Sequence, residues 1–285
     1  MSTRNNLDRL GVQPDDQSPA PVAAAQQNNS SMEFVAPTEV VDLPTGGKYY
    51  PQDHPLHNKG TVEIRYMTAR DEDILVNKSY IQKGIVLDKL LESVIIDKSI
   101  PVKSLVLGDK NAILVASRIT GYGPEYSARV TCPSCMKTED FEFDLNQCVS
   151  FKDAENSGIS YEETPAGTFL IKTPKTDATV ELRPSTGYDE EKVEKTNKMR
   201  IKNGLSELGQ TDLMMTYMVS VNGNSDRTYI NSFVENLPAL DARYIRSCYS
   251  DLMPSVELAQ QYTCSSCGYE QEMEVPFTTE FFWPK

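Results

Sequence analysis

The chain has 285 residues, 39% of them apolar and 24% charged, a length for one large or two ordinary domains that bury a core without disulfides. A mean hydropathy of -0.44 and the lack of a long uncharged apolar run leave no transmembrane helix to expect, and the polar opening Met1-Ser2-Thr3-Arg4 lacks the apolar stretch of a secretory signal, so synthesis in a cytosol is expected. With 28 Lys and Arg against 41 Asp and Glu, the formal charge of -13 makes generic binding to nucleic acid or anionic membrane unfavourable and favours protein partners.

Residues 1–31 read as a disordered tail. The low-complexity stretch from Gln17 to Ser31 holds too little apolar area to offset the entropy of ordering it. Val40 to Pro51 is rich in turn-formers and aromatics, and Thr61 to Met67 alternates apolar with polar residues as a half-buried strand does. Thr68-Ala69-Arg70-Asp71 sets a hydroxyl three residues before an acid, a capping box with Asp in place of Glu, and predicts a helix over Ala69–Leu75. Leu87, Leu90, Leu91, Val94 and Ile95 fall at helical spacing and predict a helix over Val86–Ile96. A third is expected over Lys110–Ile119. Short strands are predicted over Glu125–Val130 and Phe141–Leu145, and a hairpin over Phe169–Lys172 and Thr179–Leu182. A charged helix follows over Tyr188–Asn203, with acids first and bases last, as the helix dipole prefers. A Met-rich helix is expected over Thr211–Val221, another over Pro238–Leu252, and strands over Gln260–Thr263 and Glu270–Phe277. The aromatics Phe277, Phe281, Phe282 and Trp283 close the chain; they need cover, from the chain's own hairpins or from a neighbouring subunit.

The six cysteines carry the chemistry. Cys132-Pro133-Ser134-Cys135 and Cys264-Ser265-Ser266-Cys267 are two C-x-x-C units, each preceded by Thr and flanked by predicted strands. Two intervening residues let one tight turn aim both thiolates at a point, and two such knuckles supply the four soft ligands of a tetrahedral zinc site. The expected ligands are therefore Cys132, Cys135, Cys264 and Cys267, holding one structural Zn2+ per chain with no open position. Iron in a four-thiolate site is the alternative ion. Redox chemistry expects a single C-x-x-C opening a helix, and merely buried thiols would make the doubled motif a coincidence. Cys148 and Cys248 stand alone and read as core residues. Cys135 and Cys264 are 129 positions apart, against roughly 15–20 residues in a compact two-knuckle motif. The two ends of a long insertion must then lie side by side.

Other motifs are weak. Gly46-Gly47-Lys48 lacks the frame of a phosphate loop and reads as a turn. His54 and His57, the only histidines, flank a proline that spoils helical ligand spacing, and they leave a Ser-His-Asp machine almost no material. Asp71-Glu72-Asp73 and Asp189-Glu190-Glu191 open helices as capping and dipole charges, and Met214, Met215 and Met218 read as core. No catalytic arrangement emerges. The expected fold class is α+β: a zinc ribbon of two C-x-x-C hairpins clamping helical regions, with a disordered N-terminal tail. Its parts are a tail (1–31), an N-terminal α+β region (32–124), a split zinc ribbon and C-terminal segment (125–147 and 256–285) and a mostly helical insertion (148–255).

Several patches resemble the T4-type bacteriophage baseplate hub protein family. They are Leu43-Pro44-x-x-Gly47-Lys48-x-Tyr50-Pro51, the run Val62-Glu63-Ile64-x-Tyr66-Met67-Thr68-Ala69-x-x-Glu72-Asp73-Ile74-Leu75, and Lys83-Gly84-x-Val86-Leu87-Asp88-x-Leu90-Leu91. Leu107-Gly108-Asp109, Gly121-Tyr122-Gly123-x-x-Tyr126 and the terminal Val275-Pro276-Phe277 with Phe281-Phe282-Trp283-Pro284 belong to the same set, so the similarity spans residues 38–285 in short patches. The resemblance implies a structural or assembly protein of the baseplate hub of a contractile-tailed phage, with no catalytic residues. It implies other baseplate and tail proteins as partners, without direct nucleic-acid contact or membrane insertion. The implied location is the virion tail baseplate, and the host cytoplasm during assembly. A zinc-ribbon nucleic-acid-binding regulatory factor is the alternative, which the charge of -13 opposes.

Overall fold

The computed structural model describes residues 36–149, 151, 158–276 and 279–282. The expected tail over 1–31, and Phe277 and Trp283, lie outside these residues. Strands β1 (Thr38–Asp42) and β2 (Thr61–Arg65) pair antiparallel, Val41 opposite Val62. Helices α1 (Ala69–Leu75), α2 (Lys78–Lys83), α3 (Val86–Val94) and α4 (Leu107–Tyr122) follow. The hairpin of β3 (Glu125–Thr131) and β4 (Thr138–Asp144) carries the first C-x-x-C at its tip. Then come β5 (Tyr161–Glu163), β6 (Phe169–Lys172), β7 (Thr179–Leu182), α5 (Gly187–Lys202), α6 (Gln210–Tyr217), β8 (Met218–Val221), α7 (Arg227–Glu235) and α8 (Ala239–Leu252). The last hairpin, β9 (Ala259–Thr263) with β10 (Glu270–Glu274), carries the second C-x-x-C.

The apolar residues gather into two cores. One joins Ile64, Leu75, Leu90, Leu91 and Ile113 to Tyr126, Phe143 and Tyr262 of the cysteine hairpins. The other unites Phe169, Val180, Leu182, Met214, Ile230 and Ile245 around the antiparallel sheet β5-β6-β7-β8. The region expected to be mostly helical thus has a four-stranded sheet at the centre of its core, beside four helices. The predicted Met-rich helix over Thr211–Val221 is corrected. It ends at Tyr217, and Met218–Val221 pairs with β7. The mostly buried run Met218-Val219-Ser220-Val221, with two β-branched valines, fits a sheet edge better than another turn of helix.

The two cores are joined by backbone and charge. Leu107 N–H donates to Ser185 O (3.0 Å) and Gly187 N–H to Leu105 O (3.1 Å). Lys110 bridges Asp88 (2.9 Å) and Glu190 (2.7 Å), and Lys103 pairs with Glu191 (2.7 Å). Gly108 sits where the chain crosses itself: a Cβ there would lie 1.9 Å from Pro254 O. Beside it, the buried Asp109 carboxylate accepts from Thr45 N–H (3.0 Å), Thr45 Oγ1 (2.6 Å) and Tyr50 Oη (2.6 Å), fixing the turn-rich loop on α4. Burial still pushes that carboxyl above its ordinary range.

A seven-residue pattern occurs twice, Arg65-x-x-Thr68-x-x-Asp71 and Arg183-x-x-Thr186-x-x-Asp189, with one local structure. In each, the Asp at the third helical position accepts from the Thr backbone N–H and hydroxyl. The Arg then grips the same carboxylate with two nitrogens, at 2.7 and 2.8 Å in both cases. Ser93 of α3 adds a further bond to Asp71 (2.7 Å). Burial opposes ionisation of Asp71, yet the bonds from Arg65, Ser93 and Thr68 outweigh it and hold the carboxyl well below the usual range.

Because the folded value lies below the unfolded one, Asp71 contributes stability that is complete above the unfolded carboxyl pKa of about 4 and fades as pH falls below it. Asp71→Asn is therefore expected to cost about 2 kcal/mol near neutrality, with the gap from the parent narrowing in acid. Urea melts across the acid range check this; a gap independent of pH would contradict it.

Candidate metal centre

Each C-x-x-C sits in the same turn. Cys132 N–H donates to Lys137 O and Met136 N–H to Cys132 O, both 2.9 Å. In the second hairpin Cys264 N–H donates to Tyr269 O (2.9 Å) and Gly268 N–H to Cys264 O (3.0 Å). Met136 (φ 60°) and Gly268 (φ 68°) occupy the same left-handed position one residue past the second cysteine. The first cysteine of each pair is buried and the second exposed.

The tips meet. The Sγ atoms of Cys132, Cys135, Cys264 and Cys267 all lie within 4.8 Å of one another. Cys132 is 3.7 Å from Cys267, and Cys135 is 3.7 Å from Cys264. A disulfide needs about 2.05 Å, whereas Zn–S bonds of about 2.3 Å set tetrahedral S–S edges of about 3.8 Å. Two of the sulfur–sulfur distances match that edge and all lie within 4.8 Å, so the four cysteines form a candidate metal site whose donor set suits a soft ion. Backbone N–H groups of Cys267 and Ser266 hold the Cys264 thiol down at about 6.

The hairpins also touch away from the sulfurs. Glu139 of β4 accepts from Tyr262 Oη (2.7 Å), from Ser265 N–H (3.1 Å) and from the Ser265 hydroxyl. Hydrogen bonds from Ser265 and then Tyr262 hold its carboxyl down at about 2. Gln260 pairs its amide with the backbone of Asp144, accepting from N–H (3.1 Å) and donating to O (2.8 Å). The Phe141 and Tyr262 rings meet edge to face at 5.2 Å. Glu139 and Gln260 were not anticipated; nothing in the local pattern separates them from neighbouring solvent-facing polar residues.

The remaining candidates fall where their chemistry predicts. Cys148 and Cys248 are buried, and burial pushes both thiols up. His54 bonds Ser104 Oγ (2.7 Å) and stacks on Tyr50, while His57 bonds Tyr50 O (2.7 Å). His54 thus ties the loop to the turn before α4, and His57 braces the loop from within. Met214 and Met218 are core. Phe281 and Phe282 are buried at home: Phe281 meets Tyr126 of β3 at 5.0 Å, and the buried Arg118 donates from Nε to Phe281 O (2.7 Å).

The fold and site thus define an α+β chain whose distant cysteine hairpins converge on one four-sulfur cluster. A family model described as T4 bacteriophage base plate protein matches residues 36–283, and the chain belongs to that family. Neither a curated protein nor a solved structure matches it.

The left-handed position offers a test of knuckle geometry. A side chain there costs about 1–2 kcal/mol that glycine avoids. Met136→Gly should stabilise the protein by roughly 0.5–1 kcal/mol after the entropy glycine adds to the unfolded chain, and Gly268→Ala should destabilise it by a similar amount. Denaturation midpoints of the two variants report this, and shifts of the same sign would contradict it.

Proposed function

We propose that this protein is a structural or assembly component of the baseplate hub of a contractile-tailed bacteriophage, working as a zinc-stapled protein-interaction scaffold and not as an enzyme. The observation that carries the reading is the family match over residues 36–283, nearly all of the described chain. Partners are then other baseplate and tail proteins, met in the host cytoplasm during assembly and in the virion tail.

Cys132, Cys135, Cys264 and Cys267 are proposed to hold one Zn2+, which bound there would supply a cross-link and no reactive position. The sulfur spacing supports this. No helix among the described residues is long and apolar enough to cross a membrane. The outward residues of the hairpins include Asp140, Glu142, Glu270, Glu272 and Glu274, an acidic surface that disfavours phosphate backbones.

The test is quantitative mass spectrometry of purified phage particles and of tail assembly intermediates. A hub component retained in the virion appears in both at a fixed ratio to tail proteins. An assembly factor appears in intermediates alone. Absence from both would overturn the proposal.

A further inference from the structure

Helix α5 is unusual in burying only Gly187 along its 16 residues. Its first half is held by the Lys103 and Lys110 ion pairs, while the second half is solvent-facing. At its end Gly204 is left-handed, Gly204 N–H bonds Ile201 O (3.0 Å) and Leu205 N–H bonds Arg200 O (2.9 Å), so the helix closes in a Schellman turn. The following residues fold back: Arg200 Nε donates to Ser206 O (2.7 Å), and Leu208 N–H to Asn197 Oδ1 (2.8 Å). The result is an ordered knob exposing Met199 (59%), Ile201 (55%) and Leu205 (55%). From Lys195 to Ser206 it carries Lys195, Lys198, Arg200 and Lys202 and no acid, in a chain of net charge -13. Lys195 and Lys198 pair with Glu191 (3.0 Å) and Glu194 (2.6 Å) of the same helix, while Arg200 and Lys202 flank the exposed Ile201.

Elsewhere the fold holds a matching recess. A cleft of about 220 Å³ lies between β1, α4 and the segments around Phe151 and Val256. Its walls include Val41, Val115, Ile119, Phe151 and Val256, its rim carries Glu39 and Asp42, and no Lys or Arg lines it among the described residues. Val40 (63%) and Phe151 (38%) stay exposed at its edge. Among the described residues, nothing of the knob lies in the cleft, and apolar side chains of both surfaces stay exposed.

We propose that the α5 knob of one copy inserts into the β1–α4 cleft of a second copy, with Ile201 and Met199 on the apolar wall and Arg200 and Lys202 against Glu39 and Asp42. Apolar groups meet apolar groups and two cations meet an acidic rim, the complementarity that fixes register and speeds encounter. The two surfaces differ, so the contact is head-to-tail and generates a ring or an open chain of copies.

The test uses the full chain in sedimentation velocity and light scattering over a range of concentrations. The parent should rise above its 31.9 kDa monomer mass as concentration increases, less so at high salt. A knob variant, Ile201→Asp with Lys202→Glu, and a cleft variant, Val40→Lys with Asp42→Lys, alter exposed positions and should each remain monomeric. Mixed, they retain one good knob and one good cleft, so they should form a one-to-one dimer and nothing larger. Arg200→Glu and Glu39→Lys give an independent second pair. A monomeric parent at all concentrations, a single variant that still assembles, or a mixture that stays monomeric would each overturn the proposal. Incorporation into tails, measured separately, tells failure of this contact from failure of the baseplate reading.

Discussion

The convergence of two turn tips 129 positions apart is the constraint on which the remaining architecture depends. Once the sulfurs of Cys132, Cys135, Cys264 and Cys267 meet, the chain between them must leave and return at one place. It does so: Gln260 pairs with the Asp144 backbone, and Phe151 bridges Val256. The second core is thus an excursion whose two ends are sewn together at the hairpins. Arg118 extends the join to the C-terminus, donating to Gly123 O, Glu125 O and Phe281 O. A cross-link closing so long a loop acts mainly on the unfolded chain, which loses more freedom the longer the loop it closes.

A second theme is the use of aspartate at the third helical position. Asp71 of α1, Asp189 of α5 and Asp212 of α6 each turn back to the residue just before their own helix. Asp109 of α4 and Asp241 of α8 reach outward instead. Asp109 holds the Thr45–Tyr50 loop, and Asp241 accepts from Lys175 N–H (2.9 Å) and Thr176 N–H (2.8 Å) at the turn between β6 and β7. The helix N-terminus favours the negative charge in all five, and backbone donors meet its oxygens. Part of the acidity of this chain is structural, and the remainder stays on the surface.

These features also divide what the sequence discloses from what it hides. The cysteine knuckles are legible because ligand spacing is local, and helices α1, α3 and α8 because caps and apolar periodicity are local too. Helix α7 carried an equally local signal that went unread, Asp226 as cap followed by Ile230, Phe233 and Val234. The strand Met218–Val221 was hidden because helical and strand periods are nearly equivalent over four residues, three of them apolar; only pairing with β7 decides between them. Asp109, Asp241 and Glu139 were hidden for a different reason. Their partners lie 64, 65 and 126 positions away, so no local pattern marks them as acceptors of long-range hydrogen bonds.

The central claim is that one metal ion joins the two hairpins, and X-ray absorption at the zinc edge on the purified native chain tests it most directly. The account predicts one zinc per chain with four sulfur neighbours at about 2.3 Å, and loss of that shell, with unfolding, in Cys132→Ser. Native protein without zinc or iron, or a metal coordinated by nitrogen and oxygen, would contradict it.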